Sequence, residues 1–119
     1  MHGLQVTESE LSFLNGAIVS QVCVGQNEMI LRFDNDVTIT VTSEVICFYS
    51  TETSVRFSDF SRGASVVCSL LGQAVLGLTI SDAGRQLLLD FGDTSFVLID
   101  DCEEFESFTI AFGGKTYVA

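Results

Sequence analysis

Nucleophilic catalysis needs a base beside a Ser, Cys or Thr, and the only histidine in the chain is His2, on a terminus expected to fray. A Ser-His or Cys-His pair is therefore not expected. Cys23, Cys47, Cys68 and Cys102 lie far apart, with no Cys-x-x-Cys pair, and the first three sit among apolar neighbours such as Val22 and Val24 or Val67 and Leu70. They read as small buried hydrophobes rather than as zinc ligands or disulfide partners. Gly72, Gly77 and Gly84 neither follow the phosphate-loop spacing nor lead into a long helix, so a nucleotide site has no support. Asp34-Asn35-Asp36 offers the oxygens that a hard cation takes, yet Val37-Thr38-Ile39 runs directly into a strand, without the glycine and later glutamate of an EF-hand. Neither a metal nor a cofactor is expected. Paired carboxylates could serve hydrolysis, but a pair at the needed separation is not recognisable from the sequence.

The segment with a distinctive chemistry is Asp100-Asp101-Cys102-Glu103-Glu104-Phe105-Glu106, five carboxylates in seven residues, directly after a predicted strand at 96–99. No Lys or Arg lies between Arg85 and Lys115. Crowded like charges repel and cost stability locally, so a compensating advantage is expected. One reading is a solvated loop that serves solubility. The other is a partner-binding patch, in which Asp100, Asp101, Glu103, Glu104 and Glu106 steer a cationic surface and Phe105 supplies an apolar anchor. Phe96, Leu98 and Phe108 flank the run and fit either an anchor or the core.

The whole chain shares this bias. Sixteen carboxylates face Arg32, Arg56, Arg62, Arg85 and Lys115, for a formal charge of −11. Free nucleic acid needs a basic footprint and would be repelled, whereas a basic protein partner would be attracted and steered. The hydrophobic fraction of 47%, with ten Phe, excludes a disordered acidic tail. The 119 residues contain no proline and no Ser/Gly-rich linker, and form one expected domain, 1–119. No apolar run approaches the roughly 18 residues that cross a bilayer, and Met1-His2-Gly3-Leu4 lacks a basic stretch followed by an apolar one. A cytoplasmic location is expected, with no membrane contact.

The elements that position the acidic run follow from periodicity. Thr7-Glu8-Ser9-Glu10 has capping-box spacing and predicts a short helix that buries Leu11 and Leu14 and stops at Asn15-Gly16. A second short helix is predicted over 64–71, closed by Gly72. Val37, Ile39 and Val41 alternate with threonines as in a half-buried strand, and Met29, Leu31 and Phe33 form the inward face of the strand before it. Asp34-Asn35-Asp36, Gly92-Asp93 and Gly113-Gly114 read as hairpin turns, the last leading into Thr116-Tyr117-Val118. Further strands are expected near 45–50, 54–58 and 105–112. Phe96-Val97-Leu98-Ile99 is apolar on both faces and calls for a second cover. Eight to ten short strands give a mainly β fold, an antiparallel sandwich or partly closed barrel with two short helices.

The chain also matches itself. Leu14-Asn15-Gly16-Ala17-Ile18-Val19 lies over Leu70-Leu71-Gly72-Gln73-Ala74-Val75, Val22 and Val24 over Leu78 and Ile80, and Met29-Ile30-Leu31-Arg32-Phe33 over Leu87-Leu88-Leu89-Asp90-Phe91. Ile39 and Val41 then fall on Val97 and Ile99. The expected repeats are 11–58 and 68–118.

Gly72 to Val75, Leu87-Leu88-Leu89-Asp90-Phe91 and Glu106-Ser107-Phe108 make a Gly-x-x-Val, Leu-x-Leu-x-Phe and Glu-Ser-aromatic pattern across most of the chain. With these motifs the chain resembles the small acidic β-rich immunity proteins that bacteria encode beside polymorphic or contact-dependent toxins, and is similar to compact bacterial domains that carry this pattern, although Phe108 stands where a tryptophan is expected. The resemblance implies a non-enzymatic inhibitor that occludes a cognate toxin, often a basic nuclease, by presenting carboxylates where phosphates would lie. It transfers no functional residue by position, so the candidate partner-binding residues rest on charge clustering. Two other classes stay open. One is a structural or assembly module pairing through strand edges or the 96–99 segment; the other is a small hydrolase or ligand-binding barrel with two converging acids in a deep pocket.

Overall fold

The computed structural model describes residues 3–49, 54–100 and 107–119. Thr7 and Glu10 form the reciprocal box: Thr7 Oγ1 accepts the Glu10 amide at 3.3 Å, and the Glu10 carboxylate accepts the Thr7 amide at 3.4 Å. The helix that follows, Ser9–Leu14, is a 3-10 helix and buries Leu11 and Leu14. A segment this short gains little from α-helical propagation, and packing of those two leucines holds it instead. Its counterpart α1, Ala64–Cys68, buries Val67 and continues through a turn to Gly72. Cys68 is exposed, unlike the buried hydrophobe expected, because it falls on the solvent side of this short helix.

The described residues form ten strands: β1 Val19–Val24, β2 Met29–Phe33, β3 Thr38–Val41, β4 Val45–Phe48, β5 Ser54–Phe57, β6 Gly77–Ser81, β7 Gln86–Asp90, β8 Ser95–Ile99, β9 Phe108–Phe112 and β10 Lys115–Val118. They form two five-stranded sheets, β1-β2-β3-β9-β10 and β5-β4-β8-β7-β6, with every pairing antiparallel. Neither sheet closes on itself, so the fold is a sandwich rather than a barrel. Each sheet joins a three-stranded meander from one half of the chain to a hairpin from the other half. Shifting every strand number by five converts one sheet into the other.

Residue-level contacts obey the same exchange. Ile18 and Ala74 form an antiparallel bridge. Around it, Gly16 N donates to Val75 O at 2.7 Å while Gly72 N donates to Val19 O at 2.9 Å, and Val19 N to Gln73 O and Val75 N to Ala17 O both measure 2.9 Å. These are the same two bonds drawn twice, 56 positions apart, and the pseudo-two-fold axis passes between Ile18 and Ala74. Farther along, the register differs from the expected alignment. Leu31 pairs with Ile39 and Leu89 with Phe96, so Ile39 and Val41 correspond to Phe96 and Leu98, not to Val97 and Ile99. The β7–β8 turn is one residue shorter than Asp34-Asn35-Asp36, and a one-residue slip moves side chains to the other face.

The core lies between the sheets. Met29, Leu31, Ile39 and Val41 from one meander and Leu87, Leu89, Phe96 and Leu98 from the other are all fully buried. Val97 and Ile99 point to the outer face of the second sheet, where Val97 is flanked by Ile46 and Leu88. The corresponding row of the first sheet reads Ile30, Thr40 and Thr109. The apolar doubling at 96–99 thus divides between the inter-sheet core and the outer face of the second sheet, where Val97 and Ile99 are also buried.

Candidate functional site

The two halves are joined to their exchanged hairpins by crossovers between sheets, and both crossovers lie at one end of the sandwich. The first takes three residues, 42–44, to pass from Val41 to Val45, whereas the second takes nine, 99–107, to pass from Leu98 to Phe108. The hydrogen bonds align them: Thr42 N donates to Ser107 O at 2.9 Å, and Ile99 N donates to Glu44 O at 3.3 Å. Thr42 therefore corresponds to Ile99 and Glu44 to Ser107. Asp100 takes the place of Ser43, and residues 101–106 have no counterpart in the sequence of the first crossover.

Asp100 is 2% exposed. Its Oδ2 accepts the Gly3 amide at 2.8 Å and its Oδ1 accepts the Ser107 hydroxyl at 2.7 Å. The Asp100 amide in turn donates to Arg85 O at 2.8 Å. A carboxylate taken out of water needs such donors, since an unpaired buried charge is costly. On the facing crossover, the Ser43 hydroxyl donates to Ile99 O, and Ser43 and Ser107 are both buried. No buried side-chain polar atom among the described residues lacks a partner.

A second length difference meets the first here. Four residues separate Val24 from its partner Met29, but six separate Ile80 from its partner Leu87. The longer turn runs left-handed through Asp82 (φ 53°), Ala83 (φ 54°) and Gly84 (φ 86°), and Arg85 closes on the Asp82 carboxylate at 2.8 Å. Left-handed backbone at Asp82 and Ala83 costs about 1–2 kcal/mol each, which the surrounding contacts must offset. Leu4 N donates to Gly84 O at 2.7 Å, so closely that a Cβ on Gly84 would lie 2.3 Å from Leu4 O. The equivalent bond in the other half, Phe60 N to Gln26 O at 3.1 Å, has no such turn beneath it.

Of the candidate partner-binding residues, Asp100 is described, and it is not an exposed carboxylate. It faces inward because β8 alternation places it on the core side after outward-facing Ile99. Asp101, Glu103, Glu104, Phe105 and Glu106 lie outside the described residues, as does Cys102. Gly3 and Ser107, whose amide and hydroxyl hold Asp100, were not among the candidate site residues. Their signal was the unequal length of the two repeats, nine crossover residues against three.

Other chemistry is sparse among the described residues. No three His, Cys, Asp or Glu side chains converge as a metal site. Cys47 is fully buried, and burial pushes its thiol up to about 11, which makes it a poor nucleophile. No helix among the described residues is long and apolar enough to cross a membrane. Comparison with family models, with curated proteins and with solved structures found no match to the chain.

Proposed function

We propose that this chain is a non-enzymatic inhibitor of a basic protein, an immunity protein whose carboxylates occupy a cationic surface of a toxin, nuclease toxins being the kind implied by its sequence resemblance. The observation that carries the reading is the inequality of the crossovers. Three residues suffice to link the sheets in the first half, so the six additional residues, four of them carboxylates, are not needed for linkage. Their attachment point is nevertheless built with care, on a buried Asp100 held by three separate segments. A solubility tag needs no such base, whereas a binding loop gains from a rigid scaffold.

The charge of −11 supports the cationic nature of the partner through long-range steering. The test is a salt titration of association with a basic nuclease toxin domain, sought first in the reading frames beside that of the chain. The rate constant should fall steeply as ionic strength rises, and Asp101→Lys with Glu104→Lys should slow association while the fold persists. An association rate indifferent to salt would remove the electrostatic basis of the proposal.

A further inference from the structure

At the end of the sandwich opposite the crossovers, the ribbon around the pseudo-two-fold axis turns Ala17, Val19 and Val75 inward. It turns Ile18 and Leu76 to solvent, 41% and 67% exposed. The fold does not require large apolar side chains there. Fifty-six positions away, the counterpart of Leu76 is Ser20 and that of Ile18 is Ala74. The pseudo-symmetry therefore supplies an internal control, in which the same backbone positions are occupied by small or polar residues in the other copy.

Both hairpin turns of the meanders flank this pair. Asp34 Oδ1 accepts the Ile18 amide at 3.0 Å, and Asp36 follows in the same turn. On the other side, Leu76 N donates to Asp90 O at 2.7 Å, and Leu76 packs near Gly92, between Asp90 and Asp93. None of the ion pairs among the described residues uses these four carboxylates. Arg32 is the single cation within the two hairpins, on the outer face of the first sheet. A second copy of this chain would bring its own aspartates against these four, so charge disfavours it as the occupant.

We infer that this end is a docking surface for a protein face with an apolar side chain at its centre and Lys or Arg around it. Ile18 and Leu76 form the apolar centre, and Asp34, Asp36, Asp90 and Asp93 form the acidic margin. The inference rests on the reading that the partner is cationic and adds a second contact surface, at the end of the sandwich opposite Asp100 and Ser107.

Two fluorescent short peptides of equal charge serve as probes, one alternating Lys with Leu and one alternating Lys with Ser. The wild-type chain should bind the Lys/Leu peptide about tenfold more tightly, and Ile18→Ala with Leu76→Ser, the residues of the other copy, should bring the two affinities within about twofold. Asp101→Lys with Glu104→Lys should leave the ratio between the peptides unchanged. A ratio untouched by the Ile18 and Leu76 changes overturns this surface while leaving the cationic-partner reading intact. Failure of the wild-type chain to bind either peptide in a salt-dependent way overturns both. Sedimentation showing a dimer that Leu76→Ser dissolves would make a second copy the occupant and overturn the inference.

Discussion

The Ser107 hydroxyl donates to Oδ1 of buried Asp100 at 2.7 Å, closing the base of the six residues by which the second crossover exceeds the first. The same bond ties β8 in one sheet to the start of β9 in the other. The remaining oxygen of Asp100 is taken by the Gly3 amide, so one carboxylate joins both sheets and the N-terminal segment.

Asp100→Ala should therefore destabilise the fold by about 1–3 kcal/mol, because it strands two buried donors. Ser107→Ala should cost less, on the order of 1 kcal/mol, since Asp100 keeps the Gly3 amide. Urea unfolding of the two variants measures both, and equal midpoints for Asp100→Ala and the wild type would show that water replaces these bonds without loss.

Deleting 101–106, so that Ser107 follows Asp100 as Glu44 follows Ser43, should preserve the fold. Shortening the crossover from nine residues to three lowers its closure entropy cost by about 1 kcal/mol, and removing four crowded carboxylates relieves repulsion. The deletion variant should unfold at equal or higher urea and lose salt-dependent association. Collapse of its near-ultraviolet circular dichroism would mean that the segment belongs to the fold.

Buried Cys47 sets a pH dependence with a defined sign. Its thiol ionises at about 11 in the folded chain, against 9.0 for an unperturbed thiol, because burial disfavours the thiolate. Between these values the unfolded chain loses the proton while the folded chain retains it, so unfolding releases a proton and stability falls as pH rises. The slope should approach about 1.4 kcal/mol per pH unit within that window. Cys47→Ala should flatten it by the same amount, and an unchanged slope would place the effect elsewhere.

Much of the fold was legible in periodicity. The threonine alternation at 37–42 and the box at Thr7 and Glu10 each encode a local geometry, and the structure has both. The repeat alignment slipped by one residue after the β7–β8 turn because Val97 and Ile99 resemble core residues as closely as Phe96 and Leu98 do. Only the pairing of Leu89 with Phe96 separates them. Asp100 was read with the exposed acids for a related reason. Charge clustering identifies a run, whereas burial of its first member depends on Gly3 and Ser107, 97 and 7 residues away. The hairpin-end surface was not legible, since Ile18 and Leu76 fit a strand pattern and their exposure arises only where the two halves meet.

The pseudo-two-fold relationship also makes the position of the chain ends testable. Leu4 occupies the place of Phe60, and Ala119 lies beside Ser107, accepting its amide at 2.7 Å, while Gly3 reaches Asp100. Gly3 and Ala119 thus both meet the Asp100–Ser107 pair, and residues 58–59, between Phe57 and Phe60, make in the first half the connection that corresponds to the gap between Ala119 and Leu4. A circular permutant that joins residue 119 to residue 1 through a short Gly-Ser linker and opens after exposed Ser58, between Phe57 and Phe60, should fold, because it only exchanges which of two equivalent connections is cut. Its stability should fall within about 2 kcal/mol of the parent, the scale of a few local contacts. Loss of cooperative unfolding would show that the 58–59 connection carries structure that its counterpart does not share.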